Sequence, residues 1–179
     1  MKKGWLLSCL LFILLVGGCS QNGREENGIP NEHQTTDETA TQQAENEVAY
    51  ELLMQLDFMP HEVGTTISLI QDKQLYNIWA ELFQFKSVPT IDFTTEEVLF
   101  ITSYSDGCGR VLDRITKEND QLIVQLHYPK DIRNKKEIVC TEIALPKTFV
   151  VKLEKSGLTH GTLIDVNRTL LENELLLQR

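Results

Sequence analysis

Between Lys73 and Gln84 the apolar residues Leu75, Ile78, Trp79, Leu82 and Phe83 recur three and four positions apart, the spacing of one helical face. Asp72 stands just before them as an N-cap. This predicts a helix over about 73–84, which "KSVPT" ends. Elsewhere the period shortens. Thr65 to Ile70 is β-branched and strand-like, and Glu97 to Ser103 (EVLFITS) is the apolar run of a buried central strand. Arg110 to Lys117 alternates, "ENDQ" is a turn, and Gln121 to Tyr128 puts Leu122, Val124 and Leu126 on one face. Glu137 to Leu145 (EIVCTEIAL) and Phe149 to Leu153 follow as strands, with a short last one at Leu163 to Val166. Asn167 to Gln178 spaces Leu170, Leu171, Leu175 and Leu176 as a terminal helix would. Tyr50 to Leu56 (YELLMQL) fits a helix or a buried strand equally well. The fold class expected is mainly β with a minor α component. It is a small antiparallel sheet curled into a barrel or sandwich, with one amphipathic helix and a C-terminal helix.

The first residues follow neither period. Lys2 and Lys3 precede an apolar stretch, Trp5 to Val16, that ends Val16-Gly17-Gly18-Cys19. About a dozen apolar residues are too few for a bilayer-spanning helix, which needs about 20, and they suit a signal-peptide core. The small residues before Cys19 resemble the lipobox of bacterial lipoproteins, although Val16 stands where leucine is commonest. That resemblance implies cleavage after residue 18 and acylation of Cys19. Ordinary secretory cleavage near the same place is the alternative. Residues 19–48 then form a tether rich in Gln, Asn, Glu and Thr. Such a segment cannot bury enough apolar surface to offset its ordering entropy. As a coil, the 29 residues after Cys19 would reach roughly 30 Å from the membrane. Residues 49–179 have the length of one domain.

Charge narrows the partners. The whole chain carries a formal −9, and residues 20–48 hold seven acids against one base. Nucleic acid, which needs a basic face, is not expected as a partner. The expected location is the cell membrane, lipid-anchored and facing outside the cytoplasm. The lysine- and asparagine-rich flavour points to a Gram-positive surface.

Several segments together carry a resemblance. They are Tyr50-Glu51 in the opening segment, Ile70-Gln71-Asp72 leading into a helix that bears Trp79, and Pro89-Thr90-Ile91-Asp92-Phe93 followed by Glu97-Val98-Leu99. This order resembles the C-terminal-domain family of the protease-complex stability protein PrcB, over most of residues 48–155. "LYNIWAELF" followed by "VPTIDFTTEEVLF" is its most specific part. The resemblance implies a strand for Tyr50 to Leu56, a mainly β domain, and a binding or stabilising role. It also has a limit. After the "IDF" strand the family commonly shows Thr-Gly-Gly-Tyr, whereas here the same region reads Ser105-Asp106-Gly107-Cys108-Gly109-Arg110. A partner contact made by the family's turn is therefore not carried over.

The four cysteines are Cys9, Cys19, Cys108 and Cys140. If Cys9 leaves with the signal peptide and Cys19 takes lipid, Cys108 and Cys140 remain outside the cytoplasm, where disulfides persist. They are expected to pair, with Gly107 and Gly109 letting the chain bend to meet the second sulfur. A nucleophilic Cys108 would need activation by His127, His160 or Arg110. No cysteine-hydrolase pattern surrounds it, and His127 lies out of phase with the buried face of its strand. A zinc site would need close ligand pairs, which are missing. Asp106 and Arg110 read as solvated turn charges, Trp79 as core, and Lys130, Arg133, Lys135 and Lys136 as a mobile basic hairpin tip. Asn167-Arg168-Thr169 matches a glycosylation triplet that has no weight in a bacterial lipoprotein.

These readings lead to a lipoprotein without enzyme activity, catalytic residues, cofactor or metal. It is held on the membrane by its N-terminal lipid and binds or stabilises an envelope or secreted protein. A small envelope enzyme or thiol redox protein working through Cys108 is the first alternative. A module binding a small ligand or cell-wall polymer is the second.

Overall fold

The structure, a computed structural model, describes residues 46–166 and 168–175. The expected signal segment 1–18, Cys19, residues 20–45 of the tether and Asn167 lie outside these residues. In order, the elements are β1 (Tyr50–Leu56), β2 (Thr66–Ile70), α1 (Lys73–Leu82), β3 (Glu96–Ser105), β4 (Val111–Glu118) and β5 (Gln121–His127). After them come α2 (Lys130–Arg133), β6 (Leu145–Glu154), β7 (His160–Asp165) and β8 (Arg168–Glu174).

The strands form two four-stranded sheets, ordered β1-β6-β3-β2 and β4-β5-β7-β8. The fold is mainly β and sandwich-like, and the sheets do not close into a barrel. The first sheet is antiparallel throughout. The second is mixed, because β5 pairs with β7 in parallel from Gln121 to Leu126. An all-antiparallel arrangement is thus corrected. Between β5 and β7 the chain crosses to the first sheet to place β6, so β7 returns in the direction of β5.

Alternation along β3 explains the layering. Leu99 and Ile101 face the second sheet and pack with Ile115, Leu122, Val124, Leu126 and Leu163. Val98 and Phe100 face the other way and meet α1. Helix α1 starts where Asp72 accepts a hydrogen bond from the Leu75 N–H at 2.8 Å. Its inward face is Tyr76, Trp79, Ala80 and Phe83. The helix is rotated from the expected face, leaving Ile78 54% and Leu82 38% exposed. The reason is Phe100, whose ring lies 4.9 Å from Trp79 and 5.1 Å from Phe83. Centring on that ring draws Tyr76 and Ala80 inward in place of Ile78 and Leu82.

YELLMQL, for which the pattern fits a helix or a buried strand, is an edge strand paired with β6. Asn119 and Asp120 take φ of 47° and 64°, the primed hairpin turn that joins right-twisted strands. The fold also takes in the end of the tether. The Val48 N–H donates to Ile115 O at 2.9 Å and the Lys117 N–H to Asn46 O at 2.8 Å, along the edge of β4.

Three expectations fail. The C-terminal helix is instead β8, antiparallel to β7. Leu171 and Leu175 are four positions apart, an even spacing that an extended chain also places on one face. Both reach the inter-sheet core there. EIVCTEIAL is not a strand before Leu145, because the slot beside β3 is filled by β6 and residues 137–144 are drawn away towards the 106–109 turn. The basic tip holds one helical turn, and Arg133 is tied to Asp113 at 3.0 Å.

Phe100 is central to the packing on α1, so Phe100→Ala should destabilise the domain by about 3–5 kcal/mol. Urea unfolding should show this as a lower midpoint with the slope retained.

Candidate functional site

The stretch Ser103 to Leu112 leaves β3 through a tight turn that Asp106 organises. Its carboxylate accepts the Cys108 N–H at 3.0 Å, and its carbonyl accepts the Gly109 N–H at 3.0 Å. Gly109 has φ of 77°, which a side chain would strain. At Gly107 the constraint is space, since a Cβ would lie 3.0 Å from the Thr141 Cβ. That close approach lets the Gly107 N–H donate to Thr141 O at 3.0 Å. It also sets Cys108 beside Cys140, Cα atoms 5.3 Å apart, with the sulfurs at disulfide distance.

Beside the disulfide lies a second lock. Arg110 is only 8% exposed, so the expectation of a solvated turn charge is overturned. Its two terminal nitrogens reach the two Asp106 oxygens at 2.9 and 3.2 Å. Its Nε donates to Asp165 at the end of β7. The guanidinium lies 4.1 Å over the Tyr128 ring, and the Tyr128 hydroxyl donates to Asp106 at 3.0 Å. One side chain thus joins the β3–β4 turn to the ends of β5 and β7. Asp165 and Tyr128 are distant in sequence from Arg110, and nothing in the local pattern announces them.

Burial alone would raise the Asp106 pKa. The Arg110 guanidinium, the Cys108 N–H and the Tyr128 hydroxyl outweigh it and hold the carboxyl below its ordinary value of 3.8. Burial alone would lower the Arg110 pKa, but Asp165 and Asp106 reverse this and keep the guanidinium charged. Burial, and then the bond to Asp106, raises the Tyr128 pKa.

The chemistry available here is limited. The Cys108 sulfur is joined to Cys140 and is no free nucleophile as it stands. Asp106, Cys108 and Cys140 lie close enough together to hold an ion, their ligand atoms within 4.8 Å of one another. Both sulfurs are spent on each other, however, and the carboxylate is held by Arg110. His127 is half-buried, with its Nδ1 accepting the Tyr128 N–H at 2.9 Å. His160 is exposed on β7, and Trp79 is core.

What the pattern did not reveal is the surface that the disulfide holds. Val139 is 91% exposed, and Ile138, Ile143 and Leu145 are exposed near it in sequence. Tyr104, opposite Pro146 in the ladder, is exposed as well. The alternation in EIVCTEIAL resembles that of a strand, and only the absence of a pairing slot turns its apolar residues outward.

Cys108→Ser and Cys140→Ser should each lower stability by about 3–4 kcal/mol, the chain-entropy value for a loop of this length. Thiol labelling of the unreduced protein should modify neither residue. Acid should also weaken the turn. The unfolded chain protonates Asp106 at higher pH than the fold does. Stability from this group is therefore complete above its ordinary value and lost as the pH falls through the lowered one. Asp92 and Glu96 are shifted in the same direction, so Asp106→Asn should flatten part of the acid limb of a stability–pH curve and leave the rest.

No family model matches the chain, and neither a curated protein nor a solved structure matches it.

Proposed function

We propose that this chain is a membrane-anchored extracytoplasmic lipoprotein that binds or stabilises another envelope or secreted protein and catalyses no reaction. The observation that carries the reading is the segment opposite Cys108. The disulfide closes both thiols of the described residues. It also secures a segment whose apolar side chains Ile138, Val139 and Ile143 face solvent. Exposed apolar residues interspersed with charges such as Lys136, Glu137 and Glu142 suit a protein surface as the occupant. The chain's net −9 argues against nucleic acid. The lipobox-like Val16-Gly17-Gly18-Cys19 and the acidic stretch behind it supply the anchor and the reach in this reading. The proposed relation to the PrcB C-terminal-domain family points the same way. A thiol enzyme is the weaker reading, since Cys108 would first have to be reduced.

A photo-crosslinking residue placed at Val139 or Ile143 of the full chain, in its own membrane, should join the same protein from both sites. Asp120, at the β4–β5 turn, should not capture it. Cys19→Ser should release the chain from the membrane fraction and reduce that product. Absence of any common product from Val139 and Ile143 would sink the partner reading, and retention of the Cys19→Ser chain on membranes would sink the anchor.

A further inference from the structure

A second feature lies on the helix side of the sandwich, away from the cysteines in sequence. The first turns of α1 and the 88–93 loop enclose a pocket of about 250 Å³. Lys73, Tyr76 and Asn77 line one side, and Val88, Ile91 and Phe93 are among the residues lining the rest. Spacings of three and four put the first three side chains on one helical face. The two sides differ in chemistry: hydrogen-bond donors on the helix, and on the loop a mostly apolar surface with Thr90 among it.

Tyr76 makes this more than a surface dent. It is 2% exposed, and its ring lies 5.6 Å from Phe93 and 6.5 Å from Phe100. Its hydroxyl is buried and has no hydrogen-bond partner, alone in this respect among the buried side-chain polar atoms of the described residues. Buried polar groups are nearly always paired, so an unpaired one calls for an explanation. Burial raises the Tyr76 pKa, so the group is protonated and can donate.

Lys73 is the one charged side chain among the residues that line the pocket. Lys73 is exposed and has no ion-pair partner among the described residues. No acidic side chain lines the pocket. The first turn of α1 holds no acid, and the N-cap Asp72 is engaged with the Leu75 N–H. Pockets for drug-sized ligands span about 300–1,000 Å³, so this one suits something smaller.

We propose that the pocket binds a carboxylate carried on a short apolar body, either a free small acid or the last residue of a polypeptide. Lys73 and Asn77 hold the carboxylate, Tyr76 turns its buried hydroxyl to donate to the bound group, and Val88, Ile91 and Phe93 cover the apolar part. This site does not depend on the partner reading above.

The test is an amide-shift titration of the full chain in detergent with four probes. They are 4-methylpentanoate, 4-methylpentanol, and a short peptide ending in leucine with a free or an amidated C-terminus. At least one carboxylate probe should give saturable shifts confined to 73–77 and 88–93, and its uncharged counterpart should not. The source is the free acid if 4-methylpentanoate binds more tightly than the peptide, and a chain end if the order is reversed. Lys73→Gln should weaken the bound probe by about tenfold or more. Tyr76→Phe keeps the aromatic packing and should weaken binding while leaving the unfolding midpoint close to that of the wild type. No saturable shift from either carboxylate, or equal responses to charged and uncharged probes, would overturn the proposal.

Discussion

Strand β3 is buried without interruption from Glu97 to Ser103, so both of its faces must be covered. That requirement organises the protein. Leu99 and Ile101 need the second sheet, while Val98 and Phe100 need α1. A sheet with only one covered face would leave an apolar surface in water. The polar side chain at the start of this run is also satisfied. Glu97 accepts from Gln71 at 2.8 Å and from the Ser156 N–H at 2.9 Å. Buried at the start of this central strand, it ties the chain after β2 to the chain after β6.

The far end of β3 poses a different problem. There the chain must leave the first sheet and enter the second, where packing alone provides fewer constraints. A buried guanidinium shared by Asp106 and Asp165 ties the strand ends, and a disulfide ties the turn to the following loop. Buried ion pairs are weak sources of net stability but strict about geometry, because removing one partner leaves a buried charge. The disulfide acts mostly on the unfolded chain. Together they explain how a turn with two glycines stays defined beside a loop without regular structure.

Legibility varied with the distance over which each feature is decided. The α1 span and its Asp72 cap, the central β3 run, the Asn119-Asp120 turn and the alternation of β5 all depend on neighbours within a few residues. They were readable. The Cys108–Cys140 pair was readable for another reason: its argument is about compartment and the number of thiols left, not about distance. Which face of α1 turns inward was not readable, since Ile78 and Tyr76 are both plausible core residues until Phe100 is in place. EIVCTEIAL and the terminal leucines were misread for a related reason. A strand is completed by a partner, and periodicity says nothing about whether a slot is open.

The amino-acid pattern alone determined the mainly β class, the position of the principal helix and the pairing of the two domain cysteines. Each follows from local period or from simple inventory. Tertiary structure decided the two-sheet sandwich with its parallel β5–β7 pair, the burial of Arg110 between Asp106 and Asp165, and the exposure of Ile138 to Ile143. It also decided the enclosure of Tyr76 behind the 88–93 loop. These depend on contacts between residues apart in the chain, and neither local period nor an inventory of side chains encodes which of them meet.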